Sequence, residues 1–552
     1  MKNTNSRKRI CRQLAAMMCI VTAAVLCAGS ALACTAVYVG AGASDDGTVI
    51  IAKSNDYQDV WPNYVTVVDH VDDVPGRTMP VDNGDTVFAP IPATTYKYTA
   101  TPWMDSSLAR NGLEKDATVC ANECGVGMVM SITAFANSAA LAADPLPDNG
   151  LTEFSAVDLV ICQSATAREG VQVLAGILDT YGSSECNIAL IADQKEAWYV
   201  EMYTGHQYAA VRLPEDQVCA FGNEFTLEYL SDYEEAVVSE GLERLAAENG
   251  FARYGRGGEM NLYDTYSGDA IRIGYSHMRT WIGHQVLAPS AYGQDYDASA
   301  FYPLCFRADR KVSLQDVMEL IRNRYEGTPY SPDETGRTDM RVIGTDTALS
   351  VHILQIDPSL PAPMACVTWE SAAPALYGVF VPISSASTAV SEAYGRNQPA
   401  EEAGIADTSL YPWYAFKMLN TLCVEQPNWQ LYGTPVRQYW HQAETDMIAG
   451  MRSVLQRAGA MTDPEAAAEL LTDYCSRMQE QAFRDAKKLL NDVEWNMAKN
   501  SNTMKNGRNP ETHEVLDEKK PVDPMTVTLD GSAYRIQPGT AADTADGGIR
   551  NM

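Results

Sequence analysis

The junction at residues 31–34 constrains this chain more than any other feature. Ala31-Leu32-Ala33 closes an apolar run, and Cys34 opens the β-branched stretch Thr35-Ala-Val-Tyr-Val39. Upstream, Lys2, Arg7, Lys8, Arg9 and Arg12 make a basic start, with no acid before Asp45. A basic start, a short apolar core over Leu14–Ala28 and small residues before the cut read as a secretory signal peptide. The apolar run is short for a membrane-spanning helix. Cleavage after Ala33 predicts an exported chain that begins at Cys34, on a strand whose free end carries both a thiol and an α-amine. A lipobox also ends in Cys, but it favours Leu three residues earlier, where Ala31 stands. A lipid-anchored, non-catalytic binding protein acylated on Cys34 is therefore the rival reading.

Charge narrows the partners. The chain carries a formal net charge of −30, and the leader holds only bases, so the remainder is more acidic still. Such a surface repels nucleic acid and anionic membrane. Apolar residues make up 46% of the 552, which is enough for a sizeable core. Three of the 13 cysteines fall in the leader, and the rest are scattered. Cys120 and Cys124 lack a His or Cys partner at metal spacing, so neither a zinc site nor a dense disulfide framework is expected.

Strand and helix patterns alternate in blocks. Cys34–Gly40 and Thr48–Lys53 flank a Gly/Asp/Ser turn and predict a hairpin with Cys34 at its free end. Residues 57–115 read as strands joined by loops, and 126–133 as a buried strand. Ser155–Cys162 and Ala167–Leu178 have helical apolar spacing. Asn187–Ala192 and Ala197–Met202 predict a second hairpin. A helix over 313–325, strands over 340–356 and 364–382, and helices over 411–423 and 464–500 follow. Residues 501–552 are polar and predict a flexible tail. Strands, helices, then strands again indicate an α+β fold of sheets covered by helices.

An N-terminal cysteine suits amide hydrolysis. Its α-amine titrates near about 8 and its thiol near about 8.5, so nucleophile and base occupy one residue. The seven histidines show no catalytic or metal spacing, and none is required. The returning strand of the first hairpin carries Asp56, suited to hold the amine, and Lys53, suited to favour the thiolate.

Cys34-Thr-Ala-Val-Tyr-Val-Gly, Ser44-Asp-Asp-Gly and Ile51-Ala-Lys-Ser-Asn-Asp56 together resemble the opening of the C69 peptidases, the dipeptidase A-like family of N-terminal nucleophile (Ntn) hydrolases. Asn122-Glu-Cys-Gly-Val126, Trp198-Tyr-Val-Glu201, Phe221-Gly-Asn-Glu-Phe225, Tyr275 to Trp281, Arg322 to Gly327 and Gly378 to Ile383 continue the likeness in order. The resemblance implies a four-layer αββα sandwich over residues 34–500. It implies Cys34 as nucleophile and base and Asp56 as the partner of its amine. Asn223 and Asn122 are then oxyanion-side candidates, and Arg279 an electrostatic support. The family commonly carries Arg where Lys53 stands, and lysine keeps the charge but loses the planar fork.

The combined reading is a bacterial exported cysteine dipeptidase, extracellular or in the cell envelope. It acts on small peptides without metal or organic cofactor, and has no nucleic-acid partner or stable membrane insertion once cleaved. Self-association is left open. The rival within enzymes is a non-peptide amidase of the penicillin acylase or bile-salt hydrolase type.

Overall fold

Alternation along two strands sets the architecture. In the computed structural model of the chain, β1 (Ala36–Val39) pairs antiparallel with β2 (Val49–Asp56), Ala36 facing Lys53 and Val39 facing Ile50. Ala36, Tyr38, Val49 and Ile51 pack to one side, and Val37, Val39, Ile50 and Ala52 to the other; all are buried. Strands that are apolar on both faces need cover on both faces. The described residues are 34–57, 62–102, 117–130, 132–268, 276–337, 339–396, 408–505, 511–512 and 522–535. The expected leader and Tyr275 lie outside them.

β1 and β2 belong to a six-stranded antiparallel sheet of order β12-β1-β2-β14-β15-β16. Its other members are β12 (Val218–Phe221), β14 (Ala348–Ile356), β15 (Cys366–Ser371) and β16 (Val381–Ser384). The second sheet has eight strands in the order β13-β11-β10-β9-β8-β7-β6-β3. These are β3 (Thr66–Val68), β6 (Tyr98–Pro102), β7 (Ala117–Asn122), β8 (Gly127–Val129), β9 (Asn187–Ala192), β10 (Ala197–Met202), β11 (Tyr208–Arg212) and β13 (Ala236–Val238). β4 (Thr78–Pro80) and β5 (Phe88–Pro90) form a separate ribbon.

The sheets face each other. Ala36, Tyr38, Ile51 and Leu354 of the first pack with Val119, Val129, Leu190 and Tyr199 of the second. On the far side of the eight-stranded sheet, α1 (Glu153–Ile161) and α2 (Ala167–Tyr181) bury Val157, Val160 and Leu174 against Met128, Ile191 and Trp198. On the far side of the six-stranded sheet lie α3 (His277–Leu287), α4 (Leu314–Ile321), α5 (Pro412–Val424), α6 (Thr434–Gly459) and α7 (Pro464–Lys505). The layers run helix, sheet, sheet, helix, which is the expected αββα sandwich.

Several boundaries differ from expectation. The helix expected to reach Tyr325 stops at Ile321, and Tyr325 itself has φ +60°. Its start is as expected, with Ser313 and Asp316 forming a reciprocal capping box. α6, like α3, is not among the helices that the sequence predicts. Its buried stripe of Val436, Trp440, Ala443, Met447, Met451, Val454 and Ala458 has helical spacing, but Ala and Met carry much of it rather than Leu or Ile. α7 extends to Lys505, past the expected boundary at 500. Part of the tail is docked rather than free. The Met525 N–H donates to the Leu431 carbonyl at 2.7 Å, and the buried Tyr534 donates its hydroxyl to Asp485 Oδ2 at 3.0 Å. These two large side chains, with Val527 and Leu529 packed against the same core, anchor the segment.

Candidate active site

The β1–β2 register brings the first candidates together. Thr35 and Ser54 exchange hydrogen bonds beyond the last strand pair: Thr35 N–H donates to Ser54 Oγ at 3.0 Å, and Ser54 N–H to the Thr35 carbonyl at 2.9 Å. Cys34 therefore sits at the end of the ladder, 1% exposed, in the layer between the sheets. Lys53 faces Ala36, and strand alternation turns its side chain into the same layer. There its ammonium donates to the Met130 carbonyl, just past β8.

Burial dominates the electrostatics of this pair. It raises the Cys34 thiol above its ordinary value, while the Lys53 charge pulls it back. The Asp56 carboxylate raises the thiol, and the Asp56 backbone N–H favours the thiolate. Burial in turn lowers the Lys53 ammonium, against the anionic influence of Cys34, Glu153 and Asp56.

Asp56 faces the other way. Three residues after Lys53, it has opposite parity on β2 and points to the helix side of the sheet. Its carboxylate is buried, and neither oxygen accepts a well-formed hydrogen bond among the described residues, although Ser54 and Arg341 stand close enough to favour the anion. Arg341 Nη2 lies 3.5 Å from Oδ2. Burial raises the carboxyl above its ordinary value, and Arg341 and then Arg279 oppose it. A buried carboxylate with unused acceptors is suited to receive a cationic donor, which an α-ammonium on residue 34 would be.

Arg279 links these pieces. It projects from α3, fully buried, and donates through Nη1 to the Cys34 carbonyl and to Thr35 Oγ1. Its Nη2 donates to Asn223 Oδ1 at 2.8 Å. Asn223 follows β12, which pairs with β1. With Oδ1 held by the guanidinium, the amide nitrogen is turned away and donates to the Thr133 carbonyl at 2.7 Å. Gly222 permits the approach of α3. A Cβ there would sit 2.8 Å from the Ser276 carbonyl oxygen and 3.2 Å from the Arg279 guanidinium carbon.

Residues 33–442, more than half of the chain, match the model of Peptidase family C69. The chain belongs to peptidase family C69. A protein named probable dipeptidase B from Streptococcus pyogenes serotype M1 is 28% identical over 475 residues, covering 82% of this chain and 91% of that one. A probable dipeptidase B from Lactococcus lactis subsp. lactis is 31% identical over 348 residues, covering 61% of this chain and 71% of that one. Among solved structures, a variant of conjugated bile acid hydrolase from Clostridium perfringens covers 66% of this chain and 95% of that one. It is 8% identical, with a TM-score of 0.30.

In this C69 peptidase, Asn122 is not arranged as an oxyanion donor, which corrects the expectation from its motif. Its Nδ2 donates to the carbonyls of Ile161 at 2.9 Å and Ser164 at 2.8 Å. Its Oδ1 accepts from the backbone N–H groups of Cys124 and Val126. Both amide protons are committed, and the side chain ties the β7–β8 turn to the end of α1. The turn also needs Gly125, whose φ is +78°.

Two charged residues of the peptidase escaped sequence reasoning. Arg341 comes from the loop before β14, and nothing in its local sequence points to Asp56. Glu153 begins α1, fully buried, where an acid reads as an ordinary first-turn residue. Its Oε2 accepts from Asn187 Nδ2 at 3.0 Å, and its charge acts on both Lys53 and Cys34.

Proposed function

We propose that this C69 peptidase is an exported dipeptidase, matured by removal of residues 1–33, whose new N-terminal Cys34 is both nucleophile and base. The observation that carries the reading is the convergence on residue 34. Arg279 is hydrogen-bonded to its carbonyl, Lys53 shares the layer of its thiol, and the buried Asp56 carboxylate has acceptors to spare. The dipeptidase names of the relatives support the choice of substrate class.

The chemistry follows from those positions. The α-amine takes the thiol proton, directly or through one water, and Sγ attacks the scissile carbonyl. The developing oxyanion is met by an Asn223 amide proton, with the amide orientation fixed by Arg279. Asp56 holds the resulting α-ammonium, which returns its proton to the leaving amine. Water then hydrolyses the thioester and regenerates the free thiol and amine.

A panel of free dipeptides and N-acylated amino acids, run beside N-terminal mass spectrometry of the exported protein, tests this reading. The expected result is a mature chain starting at Cys34 that cleaves dipeptides. Preference for N-acylated substrates would make it a non-peptide amidase, and a diacylglyceryl adduct on Cys34 would end the peptidase assignment. Cys34→Ala is expected to lose turnover by on the order of 10⁴-fold or more with the fold intact. A Met-Gly extension before Cys34 is expected to inactivate the enzyme as well, because an amide nitrogen is no base.

A further inference from the structure

Cys219 and Cys305 are far apart in sequence, yet their sulfurs lie 3.2 Å from each other. The backbone explains the approach. Val218 N–H donates to the Phe306 carbonyl at 2.9 Å, and Phe306 N–H to the Val218 carbonyl at 3.0 Å. That reciprocal exchange makes 218 and 306 a hydrogen-bonded antiparallel pair. The next two residues, 219 and 305, then face each other as a non-hydrogen-bonded pair. Such pairs have Cα atoms about 4.5 Å apart, with side chains on the same face. Disulfides span Cα separations of about 4.4–6.8 Å with a sulfur–sulfur bond of about 2.05 Å, so side-chain rotation alone can close the gap.

The two thiols differ in access. Cys219 is fully buried within β12, whereas Cys305 is partly exposed. Cys305 lines a cleft of about 200 Å³ together with Pro214, Gln217, Tyr233 and Phe301. Other cysteines are engaged with backbone instead: Cys186 donates to the Tyr203 carbonyl and Cys162 to the Leu159 carbonyl.

We propose that Cys219–Cys305 is a disulfide site, closed by low-molecular-weight disulfides such as oxidised glutathione. The accessible Cys305 thiolate attacks one glutathione sulfur, forming a mixed disulfide and releasing one reduced glutathione. Cys219 then attacks the Cys305 sulfur. Its proton leaves with the second glutathione, and the protein disulfide forms as one oxidised glutathione is reduced to two thiols.

The position gives the bond a role. β12 runs directly into Asn223. The segment before Phe306 braces α3, because Ala300 and Pro303 carbonyls are hydrogen-bonded to His277 Nε2 and His284 Nε2 at 2.8 and 2.9 Å. The bond therefore joins the strand that carries Asn223 to the segment that holds the helix carrying Arg279. It closes a long loop, the case in which constraining the unfolded chain gains most.

The test is a non-reducing peptide map of the purified protein after exposure to oxidised glutathione. The expected product is a Cys219–Cys305 linked peptide, with a rise in Tm that dithiothreitol reverses. Cys219→Ser is expected to trap glutathione on Cys305. If that buried change prevents folding, Cys305→Ser serves instead, with Cys219 expected to stay a thiol and the Tm rise to vanish. The proposal fails if wild-type protein carries glutathione on Cys305 beside a free Cys219. It also fails if both thiols persist, if either pairs elsewhere, or if Cys219 reacts unaided in the Cys305→Ser protein.

Discussion

Arg279 donates a guanidinium hydrogen bond to the backbone carbonyl of Cys34, across 245 residues of sequence. Through its other nitrogen the same side chain fixes Asn223. One buried cation thus orients both the residue expected to attack and the amide expected to receive the oxyanion, and each contact can be tested separately.

Asn223→Ala removes the amide and leaves the guanidinium on Cys34. The expected outcome is a fall in kcat of about 10²–10³-fold, with KM changed only a few-fold, because an oxyanion donor acts mainly in the transition state. Steady-state kinetics on a dipeptide decides this. A loss confined to KM would make Asn223 a ground-state binding residue instead.

Lys53 lowers the pKa of the Cys34 thiol against the effect of burial. Lys53→Met removes that charge, so the thiol titrates higher. The acidic limb of kcat/KM is expected to move to higher pH. Lys53→Arg restores charge, and is expected to bring the limb back part of the way. An unmoved limb in the methionine variant would remove Lys53 from thiol activation.

Glu370 gives a pH dependence of stability. It is buried, 3.9 Å from His352, and burial pushes its carboxyl up to about 8 from an ordinary 4.5. His352 is pushed down to about 3, by burial and then by Lys53. Between about pH 4.5 and 8 the folded state keeps a proton on Glu370 that the unfolded state releases, so stability falls as pH rises through this window. Glu370→Gln abolishes that loss. Its Tm relative to the parent is expected to climb between pH 5 and 8.5, reflecting a few kcal/mol at most. A constant Tm difference across the range would contradict the assignment.

The Arg322–Glu444 pair ties the core to α6. The two side chains meet through two bonds of 2.5 and 3.0 Å, and Glu444 Oε1 also accepts the Phe380 N–H at 2.9 Å. Both are buried. Glu444→Ala leaves the buried guanidinium with only the half-buried Glu319, 3.2 Å from Nη1, as a counter-charge, and is expected to cost about 3 kcal/mol in urea unfolding. The double variant Arg322→Met with Glu444→Leu is expected to lose less, since neither charge is then stranded. Arg322 lies in a segment matched to the family by motif, and its contacts are those of a brace rather than of chemistry.

The first hairpin, the place of Cys34 at its end and the nearness of Lys53 and Asp56 were legible in the order of residues alone. Two adjacent strands joined by a short Gly-rich turn have one register that buries both apolar faces, so local spacing was enough. Helical periodicity likewise located α1, α2, α4, α5 and α7, with the Ser313–Asp316 box marking the start of α4, but it missed α3 and α6. Packing between remote segments set the rest. Asn122 and Asn223 stand in similar turn-like contexts, and only their partners separate them: the carbonyls of Ile161 and Ser164 for one, a guanidinium of α3 for the other. Arg341 reaches Asp56, Tyr534 reaches Asp485 and Cys305 reaches Cys219 through packing between segments remote in sequence. Spacing along a chain carries no record of such contacts, because they depend on how whole layers stack and not on the period of any one strand or helix.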